Sequence, residues 1–231
     1  CTRLPQNEHG ARAGRDGRQH LEEALHDGAA AAQVSDAETA RQLLAHLSPD
    51  QYKGLYYREY REEQESIRTG AARALGHIRP RGAAVALGYR VGTGYTVAER
   101  VACIWAIGQT GFSQEGFDAV KAQLLDRDPQ IRLHTAVAVT KMELDDGVAE
   151  LEQALRGPDE QLADVALTGL QESGYCGVPL LVRLVAGDHP RQQQLRDVLS
   201  HVQTDLVAAL GADDPQVRRR AARALGQIGD A

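Results

Sequence analysis

Aromatic side chains are scarce in this chain, making up 4% of 231 residues with one tryptophan and two phenylalanines. Its core must therefore be aliphatic and alanine-rich, which is what closely stacked helices prefer. Long hydrophobic runs are missing too: no stretch of about 18 apolar residues occurs, so no segment reads as a membrane-spanning helix. Basic charge is not in excess, since the formal net charge is −6, which argues against a general nucleic-acid binder with its basic footprint. The three cysteines, Cys1, Cys103 and Cys176, are far apart and form no CxxC, so neither a disulfide framework nor a zinc site is indicated. GxSxG, P-loop and HExxH motifs are absent, and Gly92-Thr93-Gly94 lacks the strand context of a nucleotide loop. What remains, 42% hydrophobic and 25% charged, is the composition of an ordinary globular chain.

One apolar pattern recurs six times. Val217, Ala221, Ala224, Leu225 and Ile228 stand at offsets 0, +4, +7, +8 and +11, the spacing that lines one helix face. Ile67, Ala71, Ala74, Leu75 and Ile78 repeat it, as do Ile131, Thr135, Ala138, Val139 and Met142; Leu162, Ala166, Gly169, Leu170 and Ser173 keep it with a polar end. Two worn copies begin with a charge, at Glu99 and Arg191. Leading positions advance by 32, 32, 31, 29 and 26 residues, a period that predicts stacked helical hairpins. A shorter apolar segment precedes each copy after the first, at 83–89, 117–125, 148–155, 178–185 and 206–210. Each unit thus reads as helix A, a tight turn, then the more regular helix B. Asp128-Pro129 and Asp214-Pro215 place an N-cap acid before a proline at the first helical position, and Thr96 with Glu99 reads as a capping box. Small residues such as Ala71, Ala106, Ala138, Gly169 and Ala224 would let neighbouring helices approach closely.

The run from Asp214 to Gly229, with Ser66 to Ile78 and Asp128 to Met142, resembles HEAT-like repeats of the type named after phycobilisome lyases. The resemblance spans roughly residues 50–231. It implies an all-α fold, a right-handed α-α superhelix of about six hairpins with the B helices on the concave side. For function it implies a non-enzymatic scaffold that binds a protein or peptide along that B-helix surface. Two alternatives stand beside this: a phycobilin-lyase-like chromophore attachment factor, and a HEAT-like nucleic-acid-binding protein resting on basic clusters such as Arg58 to Arg81 and Arg218 to Arg223. Against the latter, Glu99, Asp164 and Asp197 sit among the B helices. The chain has no His-Glu dipeptide, which separates it from the di-iron hydroxylases that also use such repeats, and no cofactor is expected.

Three regions are expected: a flexible polar tether over 1–33, capping helices over 34–63 and the repeat array over 64–231. Ser35 and Glu38 form a capping box for a helix reaching Leu47, and Ser48-Pro49 starts another over 49–62, on which Tyr52, Tyr56 and Tyr60 share a face. The only methionine is Met142, so the start reads as processed or trimmed. A cysteine at position 1 before a polar stretch resembles a bacterial lipoprotein after signal cleavage, with Cys1 carrying the lipid and the protein anchored at the cell envelope; an arbitrary fragment start with a cytoplasmic location is the other expectation. The stop at Ala231, just after the most regular copy, is read as a truncated or partner-covered edge.

Two sets of side chains stand out. Arg68, Arg100, Arg132 and Arg218 follow the leading position in four copies, with Asp128 and Asp214 four residues ahead of two of them; this predicts a structural ladder of salt bridges, of the kind the resembling repeats carry along their stack. At offset +6, on the concave face or its edge, stand Arg73, Trp105, Val137, Thr168, Asp197 and Arg223. With Val101 and Leu133 at offset +2, the middle copies would present an apolar, tryptophan-bearing groove. His77, His201 and Glu172 share offset +10 but fall in different repeats, too far apart for a shared metal ion.

Overall fold

The computed structural model describes residues 42–43, 45, 58–80, 83–93, 96–111 and 113–229, with the backbone alone for 58–64 and 93. Every regular element among the described residues is helical. The chain divides into two compact units, residues 1–106 and 107–231. The expected tether, the possible lipidation site Cys1, the helix ends at Ser35 and Ser48 and the tyrosine side chains of the capping face lie outside the described residues. No described helix is long and apolar enough to cross a membrane.

The first unit contains α1 (Arg58–Ile78), α2 (Ala83–Thr93) and α3 (Val97–Gln109), the division falling inside α3. α1 runs unbroken through residue 63, where the sequence suggested a boundary. Nothing between Arg58 and Ile67 can stop a helix: the segment is glutamate, arginine, glutamine, tyrosine and serine, with no glycine or proline. Leu75, Leu87, Val91, Cys103 and Ile104 form the aliphatic interior. Among them are three charges that apolar periodicity does not anticipate: Glu99 and Arg90, each only 1% exposed, and the buried Arg68. Glu99 lies 3.6 Å from Arg90 and 3.7 Å from Arg68. Half of the predicted capping box is present, with the Glu99 amide donating to the Thr96 hydroxyl at 3.2 Å; the Glu99 carboxylate serves the two arginines instead.

The second unit holds α4 (Gln114–Lys121), a 3₁₀ turn Ala122–Leu125, α5 (Pro129–Lys141), α6 (Val148–Arg156), α7 (Glu160–Glu172), a second 3₁₀ turn Gly174–Gly177, α8 (Val178–Ala186), α9 (Gln192–Ala209) and α10 (Pro215–Gly229). Two of its helix starts, at Asp128-Pro129 and Asp214-Pro215, are those expected from the sequence, and Asp159 adds a third of the same kind. Asp128, Asp159 and Asp214 accept hydrogen bonds from the amides two residues on, at 2.8, 2.9 and 2.8 Å, satisfying donors that a helix leaves open at its N-terminus. The regular helices form one row, α5 on α7, α7 on α9 and α9 on α10, while α6 packs on α5 and α7 and α8 packs on α9 and α10. Leu151, Leu155, Leu170, Leu181 and Leu195 lie at the centre of one continuous core.

One expected hairpin is missing. Residues 206–210 do not form a separate helix A but complete α9, since no glycine or proline interrupts the chain between Leu195 and Leu210 and punctuation arrives only at Gly211 and Pro215.

The sequence period reappears as side-chain ties. Lys141 reaches Glu172 at 2.9 Å, Arg191 reaches Glu160 at 2.8 Å and Arg183 reaches Glu152, each pair 31 residues apart. Thr96 donates to Glu65 at 2.9 Å over the same separation in the first unit. Helices touch closely where small residues permit it. A Cβ on Gly108 would stand 2.9 Å from the Ala138 Cα, and one on Gly169 would stand 2.3 Å from a Val137 methyl, distances no unstrained packing allows.

Candidate functional site

Three of the four arginines expected to form a ladder bind backbone carbonyls. Arg100 donates to the Val91 carbonyl at 2.9 Å, Arg132 to the Asp126 and Arg127 carbonyls at 3.0 and 3.3 Å, and Arg218 to the Ala212 and Asp213 carbonyls, both at 2.7 Å. Each guanidinium closes the end of the preceding helix or turn, where unpaired carbonyls and the negative end of the dipole favour a cation. Asp128 and Asp214 are occupied as N-caps, and Arg132 finds its carboxylate on Glu150 at 2.8 Å. Arg68 lies 3.7 Å from Glu99, so Arg68 and Arg132 each stand against a glutamate of the following repeat. Arg191, the charge that leads the fifth copy of the pattern, closes α6 through the Leu155 and Gly157 carbonyls and ties it to Glu160.

The predicted apolar groove does not survive intact. In the second unit Leu133 is 1% and Val137 6% exposed. Leu133 instead lines a narrow crevice of about 160 Å³ against α6 and the start of α7, and Val137 is pressed against Gly169. The physical reason is that α5 sits inside its unit, apolar or satisfied on nearly every side, and a central helix buries residues that a peripheral one would expose. In the first unit Trp105 and Val101 on α3 are half-buried and Arg73 on α1 is exposed. The Trp105 indole meets the His77 ring edge-on, centroids 5.2 Å apart, and covers Gly76, where a Cβ would come within 2.6 Å of it. Arg223 on α10 is exposed.

A different apolar surface is open. Between the Ala122–Leu125 turn and α6 lies a cleft of about 640 Å³. Leu124 packs down onto the core, whereas Leu125 is 90% exposed, because successive residues of a 3₁₀ turn point roughly 120° apart. Ala122 and Ala149 complete the apolar floor, and Asp118, Asp146 and Glu150 bring carboxylates to the walls. Lys121 is the one lining cation, with its ammonium 3.9 Å from Asp146 and 5.0 Å from the centre of the Phe117 ring. Asp118 accepts from Gln114 at 2.9 Å and Glu150 is engaged by Arg132. The surface suits an apolar side chain flanked by positive charge. Adjacent leucines ending an amphipathic segment were the available sequence signal, since one of the two must face away from the core.

A second polar junction joins α5, the Gly174–Gly177 turn and α10. Glu143, in a left-handed conformation with φ of 64°, accepts from the Tyr175 hydroxyl at 3.3 Å and lies 3.5 Å from Arg220, which also stands over the Tyr175 ring at 5.3 Å. Burial raises the pKa of Tyr175 and of Cys176, and the Cys176 thiol points to the Lys141 carbonyl at 3.7 Å. Burial, followed by the Glu99 charge, likewise pushes Cys103 up to about 12. Neither thiol is disposed to act as a nucleophile at neutral pH. Among the described residues, no three histidine, cysteine, aspartate or glutamate side chains are grouped to hold a metal ion.

No protein-family model matches the chain, and a search of curated proteins finds no similar sequence.

Proposed function

We propose that this chain is a non-enzymatic scaffold of HEAT-like repeats, wound as a right-handed superhelix, that binds a protein or peptide. The repeat reading is supported by ties 31 residues apart, matching the steps of the apolar pattern. The observation that carries binding is the cleft beside Leu125, where an unusually exposed leucine stands between carboxylates. Its partner is a basic segment presenting an apolar side chain: the floor removes apolar surface from water, while Asp118 and Asp146 select for positive charge and against acidic competitors.

The test is titration calorimetry with helical peptides in which one leucine is flanked by lysine or arginine, against versions carrying glutamate there. Binding of the basic series alone, weakened by salt and by Leu125→Ala, is expected. Equal binding of both series, or indifference to Leu125→Ala, removes the cleft from the function. A second surface is favoured by the half-buried Trp105 in the first unit. If it anchors a partner, Trp105→Ala weakens binding by about 2 kcal/mol or more with the fold retained; equal losses of binding and thermal stability make Trp105 a core residue.

A further inference from the structure

We infer that the Trp105 surface of the first unit takes an acidic peptide segment that presents an apolar side chain. The inference rests on the reading of Trp105 as a partner anchor, and it gives the first unit a partner opposite in charge to that of the Leu125 cleft.

Charge is the first argument. From Ser66 to Ala98 the sequence holds five arginines and no aspartate or glutamate, in a chain whose net charge is −6. The acids at either edge of that span are engaged: Glu65 accepts from the Thr96 hydroxyl at 2.9 Å, and Glu99 is buried between Arg68 and Arg90. Arg73 and Arg79 stay exposed. Arg79 follows the end of α1, where the helix dipole favours a cation. Arg73 stands ahead of the last turn, where that favour has faded, and among the described residues no carboxylate pairs with it.

Shape supplies the apolar half. Ala98, Val101 and Trp105 recur at helical spacing along α3, Ala98 exposed and the other two half-buried, with no charge among them. The indole is fixed in place: its six-membered ring covers Gly76 on α1, and it meets the His77 ring edge-on with centroids 5.2 Å apart. His77 is exposed one turn after Arg73 on α1, so the apolar strip is edged by a fixed cation and an imidazole. A side chain laid on Val101 and Trp105 removes apolar surface from water, and a carboxylate beside it reaches Arg73, whose charge rejects basic competitors. A nucleic-acid strand needs a run of cations to follow its phosphates, whereas beside the indole this face offers a single arginine.

Titration of the full chain with short peptides, read by the emission of its sole tryptophan, tests this. The probes are a leucine flanked by glutamates, the same peptide with lysines or with serines in their place, and a single-stranded oligonucleotide. The glutamate peptide is expected to shift Trp105 emission saturably, with an affinity that falls as salt rises; the lysine peptide leaves the emission unchanged. Arg73→Glu, at an exposed position and still folded by circular dichroism, weakens the glutamate peptide by about tenfold or more and lets the lysine peptide bind, while Arg73→Lys stays close to wild type. Lysine or serine peptides that perturb Trp105 as strongly as the glutamate peptide, or an Arg73→Glu variant that behaves as wild type, overturn the charge assignment and leave the Trp105 surface standing. An oligonucleotide bound in preference to every peptide overturns the inference in favour of nucleic acid. Calorimetric binding of the glutamate peptide without a change in emission places it elsewhere and overturns the inference, and no response to any probe removes the Trp105 surface with it.

Discussion

Glu99 shows how far one side chain can depart from its apparent place in a pattern. It occupies the leading offset of a repeat, where four of the other five copies carry isoleucine, leucine or valine, and it is buried there between Arg68 and Arg90. Removing one member of a buried charge cluster strands the others, so Glu99→Ala is expected to cost about 3–5 kcal/mol in denaturant unfolding. Glu152→Ala, at the exposed pair with Arg183, should cost about 1 kcal/mol or less; similar costs for the two would mean that burial does not set the value of these pairs. His189 makes a second residue-level case. It is 4% exposed, accepts from the Arg191 amide at 3.1 Å, and its Nε2 is buried without a hydrogen-bond partner. Burial lowers its pKa, Arg156 and Arg191 lower it further, and Glu152 and Asp188 oppose them. The unfolded chain therefore binds this proton first as pH falls. Stability is unaffected above the ordinary histidine pKa of about 6.5 and declines below it until the folded-state histidine titrates. His189→Asn, which keeps an acceptor but does not titrate, should flatten that part of the stability profile, with the remaining slope including His134, whose pKa burial also lowers. An unchanged slope would take His189 out of the acid response.

At the scale of elements, helix contacts were legible in the sequence as small residues at repeating offsets, and the structure gives those positions different tolerances. Gly169 faces a Val137 methyl, at 2.3 Å from a would-be Cβ, whereas Gly147, which lies outside the repeating pattern at the start of α6, faces the backbone of Ala136 at 2.6 Å. Gly169→Ala should destabilise by about 1–3 kcal/mol and recover most of this when combined with Val137→Ala. Gly147→Ala should be at least as costly and unrescued by any side-chain change, since backbone cannot be trimmed; rescue by a neighbouring truncation would show that the α5 backbone yields. Helix starts were equally legible, because an aspartate before a proline caps locally whatever the tertiary context. What was not legible was the assignment of faces. Leu133 and Val137 have the same spacing as residues on a peripheral helix, and only the position of α5 inside its unit buries them. Nor does spacing reveal that Arg100, Arg132 and Arg218 turn toward preceding carbonyls rather than toward Asp128 and Asp214, because a long guanidinium has several partners in reach and the nearest in sequence are already taken as caps.

For the whole molecule, the division into two units has a measurable consequence. The sole tryptophan, Trp105, belongs to the first unit, so fluorescence excited selectively at the indole reports that unit, while far-ultraviolet circular dichroism averages over helices of both. In a chain of stacked repeats, stability is a sum of local terms and nearest-neighbour interfaces, and a lesson from one end reaches the other only through cooperativity. Glu99→Ala, whose damage lies in the first unit, should move the fluorescence transition to lower denaturant by more than the circular dichroism midpoint. Gly169→Ala, whose damage lies in the second, should do the reverse, leaving the fluorescence midpoint nearest to wild type and broadening the dichroism transition. If both variants shift both probes equally, the two units unfold as a single cooperative body. That result would also change how binding is read: ligand energy gained at the Leu125 cleft in the second unit would then raise the fluorescence midpoint of Trp105 in the first, by the ordinary linkage between binding and folding.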